Sequence, residues 1–193
     1  MKYSNSQLIE LRKKMIKTIL KTSYHSGESS HIGGALSMVD ILAVLYKKII
    51  KIDLKNPKDR FILSKGHGFL GLLSILYHMN IIKKKDLMSF QQDGSEIIAH
   101  PIENSKLGIE SSNGSLGQGL SFGIGLAIAY KKKNKKNCVY VMLGDGECYE
   151  GSVWEAAISA TELKLDNLIV IVDCNGYQND GAIGNMMDYS NLK

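Results

Sequence analysis

Apolar residues in the first third of the chain recur at helical spacing. Between residues 8 and 20 they fall on one face of a helix, at Leu8, Leu11, Met15, Ile16, Ile19 and Leu20. This spacing predicts one long amphipathic helix. A polar loop, "SGESSHIGGALS", separates it from a second helical pattern, "MVDILAVLYKKII". The short apolar run "RFILS" then leads into a glycine-rich loop and a third helix within "KGHGFLGLLSILYHMN".

The second half of the chain alternates between apolar runs and helical patterns. Residues 83–112 are polar and irregular, and "NGSLGQGLSFGIGLAIAYKKK" then turns helical. From Cys138 the order is strand ("CVYVML"), loop ("GDGE"), helix ("SVWEAAISATELKL"), strand ("NLIVIVD") and loop. This order predicts a β-α-β unit whose two strands are parallel and buried on both faces. Large apolar side chains are expected in the core, among them Met38, Met79, Met142 and Trp154.

Length and composition are typical of one globular domain. The chain has 193 residues, of which 44% are hydrophobic, so a sizeable core is possible. No apolar stretch approaches the roughly 20 residues of a membrane span, and the N-terminus lacks a secretory apolar core. A cytoplasmic protein without a membrane partner is therefore expected. Cys138, Cys148 and Cys174 form no CxxC pair, and we expect them to be reduced, mostly buried and not zinc ligands.

The net charge of +5 comes almost wholly from lysine, concentrated in "YKKKNKKN" and "IIKKKD". Nucleic-acid surfaces usually mix arginine and aromatic residues along a groove, so no nucleic-acid partner is expected. Lysines at the end of a helix are solvated and complement the helix dipole, which is the simpler interpretation of these runs. A weak preference for anionic ligands stays open.

Two polar side chains follow the two strands of the predicted β-α-β unit. Asp145 comes after the first strand between Gly144 and Gly146, and Asn175 comes after the second. Because parallel strands end at one edge of a sheet, these side chains are expected to lie close together. Carboxylate and amide oxygens suit Mg²⁺, and the glycines would let a bulky anion approach the backbone. A "GDG" triplet alone is common in ordinary turns. The second polar segment, "DCNG" after the next strand, favours a metal and diphosphate site instead.

The same motifs resemble a known family over essentially the whole chain. "GDG(x)3EG(x)3EA" followed by "LIVIVDCNGYQNDG" is similar to the thiamine diphosphate signature of transketolases. "SSHIGGALSMVDILAVLY", "ILSKGHGFLGLLSILY" and "AHPIENSKLGIESSNGSLGQGLSFGIGLAIAYK" resemble successive segments of a transketolase N-terminal domain. Among relatives, the form in which transketolase is split into two polypeptides is the most similar. The resemblance implies a three-layer α/β/α fold with a mostly parallel sheet. Residues 1–193 would form a single diphosphate-binding domain, expected to be incomplete at its C-terminus.

The resemblance also implies roles for individual residues. Mg²⁺, or Ca²⁺ or Mn²⁺ in its place, would be held by Asp145, Asn175 and the backbone carbonyl of Tyr177. Catalytic roles would fall to His31, His67, His100 and Glu150, the last in a carboxylate network that crosses a subunit interface. The coenzyme would contact His67, Gly114, Ser115, Leu116, Asp145, Gly146, Glu147 and Asn175.

The activity that the resemblance implies is transfer of a two-carbon ketol unit from a ketose to an aldose, with sugar phosphates as substrates. The glutamate that activates the coenzyme belongs, in this family, to a pyrimidine-binding domain that the sequence does not contain. A partner subunit carrying that domain is therefore expected, in a heterotetramer or around a homodimer of this half. Two alternatives remain: an enzyme similar to deoxyxylulose phosphate synthase, and a non-catalytic chain that acts only in assembly.

Overall fold

The structure is a computed structural model that describes residues 3–51, 59–178 and 181–183. The helices are α1 (Asn5–Ser26), α2 (Ile32–Leu36), α3 (Val39–Val44), α4 (Phe69–His78), α5 (Lys84–Met88), α6 (Gln118–Lys132) and α7 (Gly151–Glu162). A π-helical turn, Leu45–Ile49, extends α3, and short 3₁₀ turns span Gly66–Gly68, Ser105–Leu107 and Gly146–Tyr149. The strands are β1 (Arg60–Leu63), β2 (Val139–Gly144), β3 (Leu168–Asp173), β4 (Tyr177–Gln178) and β5 (Gly181–Ala182).

Strands β1, β2 and β3 form a parallel sheet with β2 in the middle. The register pairs Leu63 with Met142 and Gly144 with Asp173, so all three strands end at one edge. The predicted α/β class and the parallel β-α-β unit are confirmed. Strands β4 and β5 form a separate antiparallel pair just after that edge.

Alternate residues of the strands divide the core into two parts. Phe61, Leu63, Tyr140 and Met142 face one side, where they pack with residues of α1, α3 and α4. Ile62, Val139, Val141 and Leu143 face the other side, with residues of α6 and α7. Since side chains of a strand point to opposite faces in turn, the sheet separates two helical layers. This arrangement agrees with the predicted three layers.

The predicted first helix is confirmed, and its ends have clear causes. Ser4 accepts the amide of Gln7 and the Gln7 side chain accepts the amide of Ser4, which is a capping box. The helix ends at Gly27, whose φ of 72° is left-handed. The second helical pattern begins at Val39, as expected, but the preceding segment predicted as a loop contains a separate short helix, α2, from Ile32 to Leu36.

Three expectations about burial are wrong. Strand β2 is buried throughout, but Val170 and Val172 of β3 are 43% and 40% exposed. Strand β3 has a neighbour on one side only among the described residues, which explains its exposure. Trp154 is 43% exposed, and its indole N–H donates to the carbonyl of Cys148 in the turn before α7. Cys174 is also exposed, since it lies in the loop after β3.

None of the helices in the described part of the chain is long and apolar enough to cross a bilayer.

Candidate functional site

A cavity of about 780 Å³ opens at the edge where the three parallel strands end. The turns after β1, β2 and β3 contribute to its wall, together with the start of α2 and the segments around His100 and Gly114. The predicted site residues that line it are His31, His67, His100, Gly114, Leu116, Asp145, Gly146, Glu147, Asn175 and Tyr177. The fold therefore brings together residues that are up to 146 positions apart in the chain, from His31 to Tyr177.

Asp145 and Asn175 lie at adjacent strand ends, as their positions in the sequence predict. The Asp145 carboxylate accepts the Gly146 amide at 3.0 Å and the Gly176 amide at 2.7 Å. The Asn175 side-chain oxygen accepts the Tyr177 amide at 2.8 Å. The bond from Gly176 joins the loop after β3 to the loop after β2, whereas each of the other two lies within one loop. The Asp145 carboxylate oxygens and the Asn175 side-chain oxygen each keep a further lone pair, which a ligand in the cavity can use.

The chemistry of these donors fits a hard cation that shares its ligands with a bound anion. Within residues 3–51, 59–178 and 181–183, no three His, Cys, Asp or Glu side chains gather into a metal site. One carboxylate and one amide oxygen alone would bind a cation weakly. Mg²⁺ commonly binds through one or two protein oxygens and completes its shell with waters and ligand phosphates. The site is therefore suited to a metal that binds together with a phosphorylated ligand.

Three histidines face each other across the cavity. The ring centroid of His31 lies 5.8 Å from that of His67 and 5.7 Å from that of His100. Helix α2 comes so close to His67 that a β-carbon on Gly34 would lie 2.6 Å from the imidazole. A β-carbon on Gly66 would lie 2.4 Å from the Asn113 carbonyl. Glycine at these two positions lets the segments that carry the three histidines pack together.

The surroundings of His67 keep its imidazole neutral near pH 7. Burial, and after it the neighbouring charges of Lys65, His31 and His100, lower the pKa of His67 from its ordinary value of 6.5 to about 4, while Asp173 opposes them. Burial and the nearby His31 also lower the pKa of His100. A neutral imidazole can accept a proton or a hydrogen bond, and this is the form that the cavity presents.

Glu147 lies in the cavity wall, but its carboxylate serves the protein's own framework. It is 2% exposed and accepts the Ser64 hydroxyl at 2.5 Å, the Gly117 amide at 2.8 Å and the Gly144 amide at 3.0 Å. These bonds join the ends of β1 and β2 to the start of α6. The local sequence "GDGE" marked this residue, but its partners could be identified only from the structure.

The sequence patterns did not single out a second buried acid, Asp173 at the end of β3. Its carboxylate forms an ion pair with Lys65, and the two side chains are 6% and 0% exposed. The Ser37 hydroxyl donates to the same carboxylate at 2.5 Å. The only available signal was a lysine inside the otherwise apolar and glycine-rich stretch "ILSKGHGF".

Two of the predicted site residues, Ser115 and Glu150, lie outside the cavity wall. Glu150 is exposed at the start of α7. It packs closely on Gly117, where an added β-carbon would lie 2.8 Å from the β-carbon of Glu150. The roles expected for both residues stay predictions.

Comparison with known proteins decides the family. The family described as "transketolase, thiamine diphosphate binding domain" matches residues 11–192. The chain belongs to the transketolase family. It is 40% identical to one of the subunits of the apulose-4-phosphate transketolase of Actinobacillus succinogenes, over 91% of this chain and 65% of that protein. It is 39% identical to 6-deoxy-6-sulfo-D-fructose transketolase subunit SqwG of a Clostridium species, over 78% of this chain and 56% of that protein.

Solved transketolase structures agree with this assignment. The transketolase of Leishmania mexicana superposes with a TM-score of 0.85 at 30% identity, over 100% of this chain and 30% of that one. The enzyme of Campylobacter jejuni gives a TM-score of 0.82 at 32% identity, over 94% of this chain and 31% of that one. The chain thus has a transketolase fold, and it spans about two thirds or less of the length of the curated relatives it matches first.

Proposed function

We propose that this chain is the diphosphate-binding subunit of a thiamine diphosphate- and Mg²⁺-dependent transketolase, which transfers a two-carbon ketol unit from a ketose to an aldose. One observation supports this proposal most strongly. Asp145, Asn175 and three histidines from distant segments line one cavity at the carboxyl edge of the sheet. Family membership and the α/β fold support the same function.

In this proposal the metal is Mg²⁺, or Ca²⁺ or Mn²⁺ in its place. Asp145 and Asn175 hold it with their side-chain oxygens, and Tyr177 adds its backbone carbonyl. Asp145 and Asn175 would share the metal with the diphosphate, and Gly146, whose amide donates to Asp145 in the structure, would also donate to the diphosphate. Gly114, Ser115 and Leu116 would contact the rest of the coenzyme. When bound, thiamine diphosphate supplies a nucleophilic carbon for breaking and forming carbon–carbon bonds.

The histidines act on the sugar and on the diphosphate. His31 and His100 face the open part of the cavity, where they orient the hydroxyl and carbonyl oxygens of the sugar. His67 lies deeper, and its neutral imidazole donates to a diphosphate oxygen through one ring nitrogen. Without a ligand the pKa of His67 is lowered to about 4, so the imidazole that the cavity offers to the diphosphate is neutral at pH 7.

A partner subunit completes the enzyme in this proposal. The similar proteins of Actinobacillus succinogenes and Phocaeicola vulgatus are both named as individual subunits of an apulose-4-phosphate transketolase. Such names imply a second subunit, which we expect to carry the pyrimidine-binding domain, and a heterotetramer with two copies of each chain would contain two sites. The substrate is proposed to be a phosphorylated or otherwise modified sugar, since one relative is named for a phosphate and another for a sulfo sugar.

Calorimetry of thiamine diphosphate binding in the presence of Mg²⁺ tests the proposal. The chain would be titrated alone and together with its partner subunit, as wild type and as Asp145→Asn. We expect binding by the wild type and a large loss in Asp145→Asn, which removes a ligand charge at nearly constant shape. Asp166→Asn is the matched control, because that carboxylate is 88% exposed and lies before β3, at the opposite end of the strand. No binding heat in any wild-type sample would refute the proposal.

A further inference from the structure

Three side chains form a polar cluster next to the cavity: Lys65 and Asp173, which are buried, and Ser37, which is partly buried. The Lys65 ammonium pairs with the Asp173 carboxylate and lies 3.3 Å from the Ser37 hydroxyl. The Ser37 hydroxyl lies 2.5 Å from the same carboxylate oxygen. None of the three lines the cavity. The cluster is therefore separate from the groups that would touch a ligand.

Each member of the cluster belongs to a different segment of the site. Ser37 is the C-cap of α2, the helix that begins after His31. Lys65 is the residue before the 3₁₀ turn that carries His67. Asp173 ends β3, two residues before Asn175. Since β2 lies between β1 and β3, the Lys65 side chain reaches across the end of the central strand to form the ion pair.

The backbone of Asp173 connects the same cluster to Asp145 and Asn175, the two residues proposed to bind the metal through their side chains. Its carbonyl accepts the Asp145 amide at 3.2 Å and the Asn175 amide at 3.1 Å. The side chain and the carbonyl of one residue thus hold the loop after β2, the loop after β3 and the turn before His67. A buried ion pair fixes its partners in one arrangement, because either charge left alone in the interior is strongly disfavoured.

We propose that the Lys65–Asp173–Ser37 cluster is a positioning device that keeps Asp145 and Asn175 in register with His67. The affinity for the coenzyme and its metal then depends on an ion pair that touches neither of them. This inference rests on the proposed function for its ligand. Groups that orient metal ligands without binding the metal commonly change metal affinity by about 10- to 100-fold when they are replaced.

The test uses a double variant that removes both charges at similar volume, Lys65→Met with Asp173→Leu. A single substitution leaves an unpaired buried charge and can prevent folding, whereas an apolar pair often folds. The matched control is Arg60→Met with Glu110→Leu, which removes the ion pair at the opposite end of β1. Ser37→Ala is a third, milder variant that keeps both charges and removes the hydroxyl.

Two measurements are made on the full chain with its partner subunit. Calorimetry gives the affinity for thiamine diphosphate with Mg²⁺, and hydrogen exchange gives the protection of the Asp145 and Asn175 amides without any ligand. We expect the Lys65/Asp173 variant to bind about 10- to 100-fold more weakly and to lose protection at both amides. The Arg60/Glu110 control is expected to match the wild type in both measurements, and Ser37→Ala to show a smaller loss of the same kind.

The possible failures are distinguishable. If the wild type binds no coenzyme, the proposed function fails and this inference fails with it. If the wild type binds but the Lys65/Asp173 variant binds equally well with unchanged amide protection, the inference alone is overturned. If that variant does not fold, Ser37→Ala decides: wild-type affinity and protection in that variant would also overturn the positioning role.

Discussion

The two ends of the parallel sheet are built from similar parts but lie in different surroundings. At the amino end, Asp59 accepts the Cys138 amide at 3.0 Å and the Lys51 amide at 2.9 Å, and Arg60 pairs with Glu110. At the carboxyl end, Glu147 accepts two backbone amides and one hydroxyl, and Lys65 pairs with Asp173. Each end therefore has one buried carboxylate that binds backbone amides and one ion pair.

The two ends differ in how deeply their ion pairs are buried and in which groups lie next to each pair. Side-chain exposure is 30% and 12% in the Arg60–Glu110 pair, but 0% and 6% in the Lys65–Asp173 pair. Arg60 of the amino-end pair also donates to the Tyr130 hydroxyl, and this bond stabilises the C-terminal end of α6. The carboxyl-end pair adjoins the cavity wall with its three histidines. The same kinds of interaction thus lie within the framework at one end of the sheet and beside the candidate site at the other.

Loss of one partner of the ion pair should show the largest difference between the ends. Lys65→Met leaves the Asp173 carboxylate buried without its cation, and we expect the free energy of unfolding to fall by about 3–5 kcal/mol. Arg60→Met should cost less, about 1–3 kcal/mol, because the Glu110 carboxylate lies nearer to solvent and has a smaller penalty for staying charged. Urea unfolding of the two variants measures both values. Equal losses would contradict the comparison.

Glu147→Gln should produce the next largest effect. The substitution places an amide NH₂ where the carboxylate now accepts donors from Ser64, Gly117 and Gly144. Either orientation of the new side chain leaves a donor facing a donor, which costs about 1–3 kcal/mol. Chemical denaturation measures this loss, and calorimetry should show weaker coenzyme binding because Gly117 and Gly144 adjoin the cavity. Unchanged stability would show that these hydrogen bonds do not hold the strand ends together.

Asp59→Asn is the matching change at the amino end. It disturbs two backbone amides, whereas Glu147→Gln disturbs two backbone amides and a hydroxyl, so we expect a loss of about 1–2 kcal/mol in the free energy of unfolding. Coenzyme affinity should equal that of the wild type, since Asp59 lies at the far end of β1 from the cavity. A clear loss of affinity in this variant would remove the distinction between the two ends.

The carboxyl end should also make the stability of the chain depend on pH. The folded chain holds the pKa of His67 near 4, below the ordinary value of 6.5. The unfolded chain therefore binds a proton at higher pH than the folded chain, and stability should fall as the pH drops from about 6.5 to about 4. His67→Asn should make this decline shallower in unfolding curves recorded across that range. An unaltered decline would place its origin in other groups, such as His78 and His100, whose pKa values burial also lowers.

Much of the site could be predicted because its signals are local. The apolar runs around Val141 and Val170 predict strands, and a crossover of this length returns the chain to the same sheet edge. The proximity of Asp145 and Asn175 follows from those two facts. The motifs around His31, His67 and His100 added the family, and with it the expectation that the three histidines share one site. Their convergence in the cavity agrees with that expectation.

The sequence by itself determined the long helices, the β-α-β unit, the α/β class and the two strand-end residues, because these depend on the spacing of side chains along one segment. Only the tertiary structure decided that Lys65 crosses the end of β2 to reach Asp173, that Glu147 serves the framework, and that Trp154 and Val172 are exposed. These features depend on the order of strands in the sheet and on which elements cover each face. Such relations join segments that are distant in the chain, and no local periodicity records them.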